Sequence, residues 1–425
     1  MTARANARAE PGSSALVVGG GVVGIACAHY LNRAGFRVTV IDAKGLASEC
    51  SHANCGYISP SHVLPLTEPE SFHVAFKSLL RPNAPFRVQP GTALRHLGWF
   101  LQFARRCNRR QMLFAGQHLK AILDSSRTEY DDIISTHHLD CQYRATGLLF
   151  VLQSSAGWKA FEHTDRFLTE HFGVQAEAIA GAELPDFDAA LKPGLKGAFY
   201  YPGDASVRPD QLCAQWVDCL KRRGVEFRER CPAMSVQRDG VNVVGIQTPD
   251  GLHSADQVVF CLGSHSSTLQ GDLGCKLPVL PGKGYSVTMR RPKVCPEYPM
   301  LFPEHKVGVS PFADGYRLGS MMEFAGFDSS IPEKRISQLK HSAEPYLKEP
   351  YASEELERWY GWRPMTWDSL PIIGPIAKHS NAYVAAGHNM LGLSLAPATG
   401  RLISEMIMGV ETHIDASAYS VQRFS

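Results

Sequence analysis

The chain of 425 residues lacks long apolar runs, strong net charge and paired cysteine motifs. No run reaches the roughly 18 apolar residues that a membrane-spanning helix needs. The polar N-terminal stretch, residues 1–13, has no apolar segment of the kind found in signal peptides, so we predict a disordered extension. These absences predict a cytoplasmic protein and leave open a peripheral contact with the inner face of the plasma membrane.

The chain also has little excess charge, with 43 Lys and Arg residues, 41 Asp and Glu residues and a formal net charge of +2. No basic patch contains interleaved aromatic side chains, so we predict no nucleic-acid partner. The eleven cysteines include no C-x-x-C pair, and several lie inside apolar runs. Such a dispersed set is typical of buried thiols in a reducing compartment and predicts no metal site.

The clearest motif is the run LVVGGGVVGIACAHYLNRAGFRVTVID at residues 16–42. It reads as a strand, a glycine turn, an amphipathic helix and a second strand that ends on Asp42, which is the order of a dinucleotide-binding unit. Gly19 permits a tight turn, Gly21 lets the backbone approach a pyrophosphate, and Gly24 allows close helix–strand packing. The candidate contacts are Gly19, Gly20, Gly21, Val22, Val23, Gly24 and Asp42. They suit FAD and NAD equally well.

A second segment, SHANCGYISP at residues 51–60, follows soon after this unit. Its small residues and Gly56 let the backbone lie against a flat ligand, and Asn54 is suited to hydrogen-bond a polar ring edge. An ordinary polar loop is the alternative. Further along, residues 258–262 read as a buried strand that ends on Gly263, where a parallel sheet presents backbone to a ligand. The candidate contacts here are Ser51, Asn54, Gly56 and Gly263.

Two later segments carry charged side chains. In LPGKGYSV, we interpret Lys283 between two glycines as a solvated turn residue, and Tyr285 is either a catalytic candidate or strand packing. In YGWRPMTWDSLPIIGP, Arg363 lies between an aromatic residue and a proline. There it is well placed to bind a carboxylate through two parallel hydrogen bonds. A structural ion pair with Asp368 is the alternative.

The last such segment, AAGHNMLGLSLAPATG, reads as a strand end, a glycine turn and the start of a helix predicted from Ala396 to Met408. The N–H groups of the turn are suited to face an anionic ring oxygen. His388 is a catalytic candidate, and a capping role is the alternative. The candidate contacts of the turn are Gly387, Leu391 and Gly392.

The α/β pieces occur at the beginning, middle and end of the chain, with helices and short alternating strands between them. This interleaving predicts a mixed α/β fold, α+β overall, with a discontinuous Rossmann-like dinucleotide domain and an antiparallel-sheet substrate domain. We assign residues 14–62, 195–275 and 360–425 to the first domain and residues 63–194 and 276–359 to the second.

Together, these segments resemble the D-amino-acid oxidase family of FAD-dependent oxidoreductases, and most closely its bacterial D-amino-acid dehydrogenase small-subunit type. The resemblance spans nearly the whole chain after Ser14, with the motifs in the same order. The segment AAGHNMLGLSLAPATG also resembles glycine oxidases of that family. His52, Cys55, Trp367 and Pro397 depart from the dehydrogenase pattern, which leaves the side chain of the substrate open.

The resemblance implies FAD as the cofactor, with the glycine turn and Asp42 at its ADP half. It implies that Ser51, Asn54 and Gly56 lie near the flavin and that the turn at residues 387–392 covers the pyrimidine end of the ring. These positions form the cofactor site that the resemblance predicts.

The resemblance also implies a substrate and a reaction. Arg363 matches the family arginine that pairs with the substrate carboxylate. Hydride passes from Cα of a D-amino acid to flavin N5, the imine hydrolyses to a 2-oxo acid and ammonia, and a quinone or another acceptor takes the electrons. An enzyme for glycine, sarcosine or D-hydroxyproline and a catalytically silent electron-relay subunit are the alternatives. His52 does not match the histidine that holds FAD covalently in some members, so non-covalent FAD is expected.

Overall fold

In a computed structural model, the chain is described at residue 10 and over residues 12–69 and 86–424. Ten of the thirteen residues of the predicted N-terminal extension therefore lie outside the described residues. The strands, in chain order, are β1 (Ser14–Val18), β2 (Arg37–Ile41), β3 (Tyr57–Ile58), β4 (Phe86–Val88), β5 (Leu148–Leu152), β6 (Glu177–Ala180), β7 (Gly197–Tyr201), β8 (Ala205–Ser206), β9 (Glu226–Arg228), β10 (Ser235–Asp239), β11 (Asn242–Thr248), β12 (Gly251–Ser254), β13 (Gln257–Phe260), β14 (Leu280–Met289), β15 (Met300–Phe302), β16 (Val307–Pro311), β17 (Tyr316–Phe324), β18 (Glu355–Met365), β19 (Ile372–Pro375) and β20 (Ala382–Ala386).

The α-helices of the same ranges are α1 (Val22–Arg33), α2 (Pro90–Arg95), α3 (Leu97–Arg106), α4 (Arg109–His137), α5 (Ser155–Phe172), α6 (Leu184–Phe187), α7 (Pro209–Arg222), α8 (Gln270–Leu273), α9 (Glu333–Ala343) and α10 (Gly392–Met408). Short 3-10 helices cover Gly263–Leu269, Ser417–Tyr419 and Val421–Phe424. Within the ranges that the structure describes, no helix is both long and apolar enough to cross a membrane.

One sheet combines three distant parts of the chain in the order β19-β20-β13-β1-β2-β9. Its strands from β20 to β9 pair in parallel, and β19 is an antiparallel edge strand. Strand β13 is buried along its whole length, as expected for a parallel strand that is covered on both faces. The predicted mixed α/β fold with a Rossmann-like unit is confirmed.

Close backbone approaches explain three glycines of this unit. A Cβ atom on Gly24 would lie 1.9 Å from the carbonyl oxygen of Gly19. Gly19 has a φ of +111°, and its Cβ would lie 2.4 Å from the carbonyl oxygen of Cys261. A Cβ on Gly400, where α10 packs against α1, would lie 2.5 Å from the backbone of Ala26. The turn, the end of β13 and helices α1 and α10 therefore approach one another at distances that only glycine permits.

Helix α10 begins at Gly392, earlier than the predicted start at Ala396, although Pro397 lies inside it. A proline has no N–H for the carbonyl four residues before it, here that of Leu393. The hydroxyl of Tyr130, on α4, donates to this carbonyl over 2.7 Å and replaces the missing bond. The helix therefore extends back to the glycine turn and brings its N-terminus there.

The second large sheet has the order β18-β14-β17-β16-β15-β5-β7-β6, and β4 pairs with β17 in addition. Most of its pairs are antiparallel, and two of the predicted domain boundaries fall inside it. Strand β7, expected in the dinucleotide domain, pairs with β5, and β18 crosses the boundary at residue 360. Strand β18 continues through Pro364 because an edge strand tolerates a missing N–H. The sheet therefore extends to the predicted carboxylate-binding segment.

Candidate active site

A cavity of about 1050 Å³ extends from the glycine turn of the Rossmann-like unit to the second large sheet. Most of the predicted site residues line it, although they come from distant parts of the chain. The lining members are Gly19, Gly21, Val22, Val23, Asp42, Ser51, Asn54, Gly56, Gly263, Tyr285, Arg363, His388, Leu391 and Gly392. Gly20, Gly24 and Gly387 do not line the cavity. They allow close packing of the backbone behind the residues that do.

The end of the cavity at the glycine turn suits the ADP half of a dinucleotide. The carboxylate of Asp42 accepts the N–H of Gly20 on one oxygen at 2.7 Å and that of Lys44 on the other at 2.8 Å. Burial raises the pKa of this carboxyl, and the two N–H donors oppose that shift. Each carboxylate oxygen can accept a further bond, as a ribose diol requires. The N-terminus of α1, at Val22, faces the same space and suits a pyrophosphate.

The loop after β2 lines the middle of the cavity. The hydroxyl of Ser51 accepts the N–H of Val22 at 3.0 Å and joins this loop to the N-terminus of α1. The amide of Asn54 is used within the loop, because its Oδ1 accepts the N–H of Gly56 at 2.8 Å and its Nδ2 donates to the carbonyl of Cys50. The side chain of Asn54 therefore shapes the loop instead of offering a free amide to a ring edge.

Arg363 lies on β18 opposite Gly282 of β14, and its side chain lines the cavity. Its Nη1 donates to the carbonyl of Met321 at 2.7 Å. A Cβ on Gly284 would lie 2.1 Å from the same nitrogen, so the glycine makes room for the guanidinium. Burial lowers the pKa of Arg363, and the nearby thiol of Cys50 partly offsets this shift.

A strained segment of β17 supplies that carbonyl. Ser320 and Met321 have φ values of 137° and 59°, which are unfavourable for residues with side chains. The pairing register between β14 and β17 shifts nearby, between Lys283 and Tyr285. Such strain persists only where the surrounding structure enforces it, and it concentrates at functional sites. Here it directs the carbonyl of Met321 at the guanidinium.

No carboxylate among the described residues forms an ion pair with Arg363. The predicted alternative partner, Asp368, instead accepts the Nε of Arg423 at 2.7 Å. A cation withdrawn from water is costly unless an anion compensates it. The charge of Arg363 is therefore directed at the cavity, where a carboxylate ligand would compensate it.

The turn at residues 387–392 closes another side of the cavity. The hydroxyl of Thr399 donates to the carbonyl of Leu395, so the ring Nε2 of His388 is the donor in its 3.0 Å contact with Thr399. Burial lowers the pKa of His388 to about 3, and the imidazole is neutral at ordinary pH. This geometry favours a structural role for His388 over a catalytic one, although the role is not the predicted cap, because no side chain caps the N-terminus of α10. The side chain of Asn389 fixes the same turn by accepting the N–H of Thr366 at 2.9 Å.

The interpretation of Lys283 as a solvated turn residue is wrong. It lies inside β14 with none of its side chain exposed, and its Nζ donates to Asp328 at 2.9 Å. Its neighbouring glycines make room for packing between strands and do not form a turn. The ring of Tyr285 lines the cavity, but its hydroxyl donates to the carboxylate of Glu323 at 3.0 Å. The packing interpretation of Tyr285 is therefore favoured over a catalytic one.

Sequence reasoning missed two features of the cavity. One is a wall of aromatic and thioether side chains, which we call the aromatic wall; it comprises Phe86, Trp99, Phe100, Phe103, Met322 and Phe324. The other is a group of polar side chains behind the loop that contains Asn54: Ser286, Ser310 and Arg317. Both depend on how distant strands align, and no local motif indicates them.

Comparisons with known proteins agree with this architecture. Residues 14–406 match the family described as FAD dependent oxidoreductase. The chain is 31% identical to a D-amino acid dehydrogenase of Vibrio cholerae serotype O1 over 96% of its own length and 98% of that protein.

Solved structures show the same fold. Glycine oxidase from Geobacillus kaustophilus has a TM-score of 0.78 at 21% identity, covering 97% of this chain and 99% of that one. Glycine oxidase from Bacillus cereus has a TM-score of 0.76 at 20% identity, covering 94% and 96%. The glycine turn, the carboxylate of Asp42 and the size of the cavity fit FAD. The chain belongs to the D-amino-acid oxidase family of FAD-dependent oxidoreductases.

Proposed function

We propose that this FAD-dependent oxidoreductase deaminates D-amino acids oxidatively and passes the electrons to a quinone or a similar acceptor. The observation that carries the proposal is the guanidinium of Arg363, which lines the cavity and has no carboxylate partner among the described residues. A relative that is 31% identical over 96% of this chain carries the name D-amino acid dehydrogenase. Together they support an α-amino acid as the ligand of the cavity.

The residues of the chain bind and orient the substrate. When bound, FAD supplies the acceptor for hydride from Cα, and the resulting imine hydrolyses to a 2-oxo acid and ammonia. Arg363 binds the carboxylate through two parallel bonds, which fixes the position of Cα. His388 is neutral and already bonded to Thr399, so it serves as a support and not as a base. The rate then depends mainly on positioning.

The aromatic wall favours a substrate with an apolar side chain. Its six members present five aromatic side chains and one thioether group to the same cavity that Arg363 lines. Each buried CH₂ group of a ligand gains about 0.8 kcal/mol from leaving water. Glycine and sarcosine would leave this surface uncovered, so we propose that larger apolar D-amino acids are the better substrates.

We propose that FAD is held without a covalent bond. His52 is held by the carboxylate of Glu357 at 2.7 Å, and this hydrogen bond raises the pKa of the imidazole. Burial raises the pKa of Cys50 to about 11 and also raises that of Cys55. Neutral thiols are poor nucleophiles, and the Nε2 of His52 is engaged with Glu357, which supports the non-covalent state.

We propose a peripheral contact with anionic membranes through three exposed leucines, the leucine patch: Leu94, Leu97 and Leu101. Their exposed fractions are 78%, 53% and 51%. Residues 86–123 contain seven Lys and Arg residues and no Asp or Glu. Apolar side chains beside basic ones suit a surface of anionic lipid. On the other face of α3, Trp99 and Phe103 belong to the aromatic wall, so the patch lies beside the cavity that an apolar quinone would enter.

A substrate panel under anaerobic conditions tests the reaction. Apolar D-amino acids should bleach the visible absorption of the bound flavin fastest, and their L-enantiomers should leave it unchanged. Fastest bleaching by glycine, sarcosine or D-hydroxyproline would instead establish that alternative. If dithionite bleached the flavin but no amino acid did, the chain would be an electron-relay subunit.

Turnover with a soluble quinone should exceed peroxide release in air, and the reverse would identify an oxidase.

Replacement of Arg363 tests the carboxylate contact. Arg363→Ala removes charge-assisted bonds worth about 3 kcal/mol in total, so the KM of the best amino acid should rise about 100-fold. The absorption spectrum of the flavin should stay unchanged. Arg290→Ala is the matched control, because it removes an exposed guanidinium paired with Glu354 on the surface. An unchanged KM in a variant with full flavin content would remove Arg363 from the site.

Vesicle flotation tests the membrane contact. The protein should float with vesicles that contain phosphatidylglycerol and stay in solution with pure phosphatidylcholine, and 0.5 M salt should release it. Changing the three leucines of the patch to Gln should reduce the bound fraction about tenfold. The control changes Met234, Val244 and Leu252 to Gln, which are exposed apolar residues elsewhere. Equal binding by the two triple variants would contradict the proposal.

A further inference from the structure

Three side chains of the second large sheet hold three successive carbonyl groups of the loop beside the cavity. The hydroxyl of Ser286 (β14) donates to the carbonyl of Ala53 at 2.8 Å. Nη1 of Arg317 (β17) donates to the carbonyl of Asn54 at 2.8 Å. The hydroxyl of Ser310 (β16) donates to the carbonyl of Cys55 at 2.6 Å. The donors are 2%, 1% and 1% exposed, so water does not compete for these bonds.

These bonds determine where the N–H groups of the loop point. A trans peptide holds its C=O and N–H on opposite sides, so the N–H groups of Asn54 and Cys55 point away from the donors on the sheet. Neither N–H donates to any described residue. Both residues line the cavity. The N–H groups are therefore available to a ligand in the cavity.

The cation of Arg317 lies directly behind this loop. Its Nε donates to the hydroxyl of Thr288 at 2.8 Å, and its nearest carboxylate oxygen, on Glu357, is 3.8 Å away. Glu357 is at the same time bonded to His52 at 2.7 Å. The carboxylate of Asp210 also acts on Arg317, but it is paired with Arg208 at 2.9 Å. The positive charge is therefore only partly compensated, and little water screens it from the cavity.

We propose that Ser286, Ser310 and Arg317 are positioning residues that direct the N–H groups of Asn54 and Cys55, together with the charge of Arg317, at the bound flavin and raise its reduction potential. Two-electron reduction adds negative charge to a flavin ring. Dipoles and a cation fixed in advance stabilise that charge without reorganisation. The inference rests on FAD as the cofactor and does not depend on which amino acid is the substrate.

The midpoint potential of the bound flavin, measured against redox dyes without substrate, tests the proposal. Arg317→Met should lower the equilibrium ratio of reduced to oxidised flavin at least tenfold, which is about 30 mV for a two-electron couple. Arg317→Lys keeps the charge and should restore more than half of the shift. The rate of reduction by the best substrate should fall in Arg317→Met, while its KM stays within about twofold, because Arg363 is intact.

Arg423→Met is the matched control, because it also removes a largely buried guanidinium that binds one carboxylate and several carbonyls, away from the loop. It should lower stability and leave the potential unchanged. If Arg317→Met does not fold, Ser310→Ala is measured in the same way, and it should lower the ratio about threefold through the loss of one bond. The proposal is overturned if folded Arg317→Met keeps a ratio of reduced to oxidised flavin within a factor of two of the wild-type ratio. If Arg317→Met does not fold, the same result in Ser310→Ala overturns it.

Discussion

The guanidinium of Arg363 is held by backbone and not by a carboxylate, and the arrangement of the cavity follows from this contact. The carbonyl of Met321 accepts from it at 2.7 Å, and Gly284 leaves the space that it fills. Both neighbours belong to strands that pair with each other or with β18, so the charge has a fixed direction. A fixed cation without an ion-pair partner among the described residues suits a carboxylate ligand, which is the basis of the proposed function.

The remaining walls suit a flat redox cofactor and would place the proposed amino-acid substrate in the same space. Glycines in the turn between β1 and α1 would let the backbone approach the ADP half of FAD, and the carboxylate of Asp42 would accept hydrogen bonds from its ribose. The loop that contains Asn54 is joined to α1 by Ser51 and to the second sheet by Ser310. Helix α1 and the second sheet therefore hold the middle of the cavity from both sides. The fold is shared with two glycine oxidases, and the fold alone does not determine the substrate.

How well the sequence predicted each feature depends on whether the cause is local. Gly19 and Gly24 were recognised because strand, turn and helix are adjacent in the chain. Lys283 was misread because two flanking glycines look like a turn, whereas in β14 they make room for side chains from other strands. Ser310 and Arg317 gave no local signal, because their meeting with one loop depends on strand register. Strand register is set by pairing between distant strands, so no short sequence segment predicts it.

The claim that Arg363 makes this cavity a carboxylate site is tested most directly by the binding of propionate and propionamide, followed through the absorption spectrum of the bound flavin. The account predicts that propionate changes the spectrum and competes with the amino acid, and that Arg363→Ala binds it about 100-fold more weakly. Propionamide, which has the same shape without the charge, should bind poorly to both proteins. Equal affinity of propionate for the wild type and for a folded, flavin-loaded Arg363→Ala variant would contradict the account.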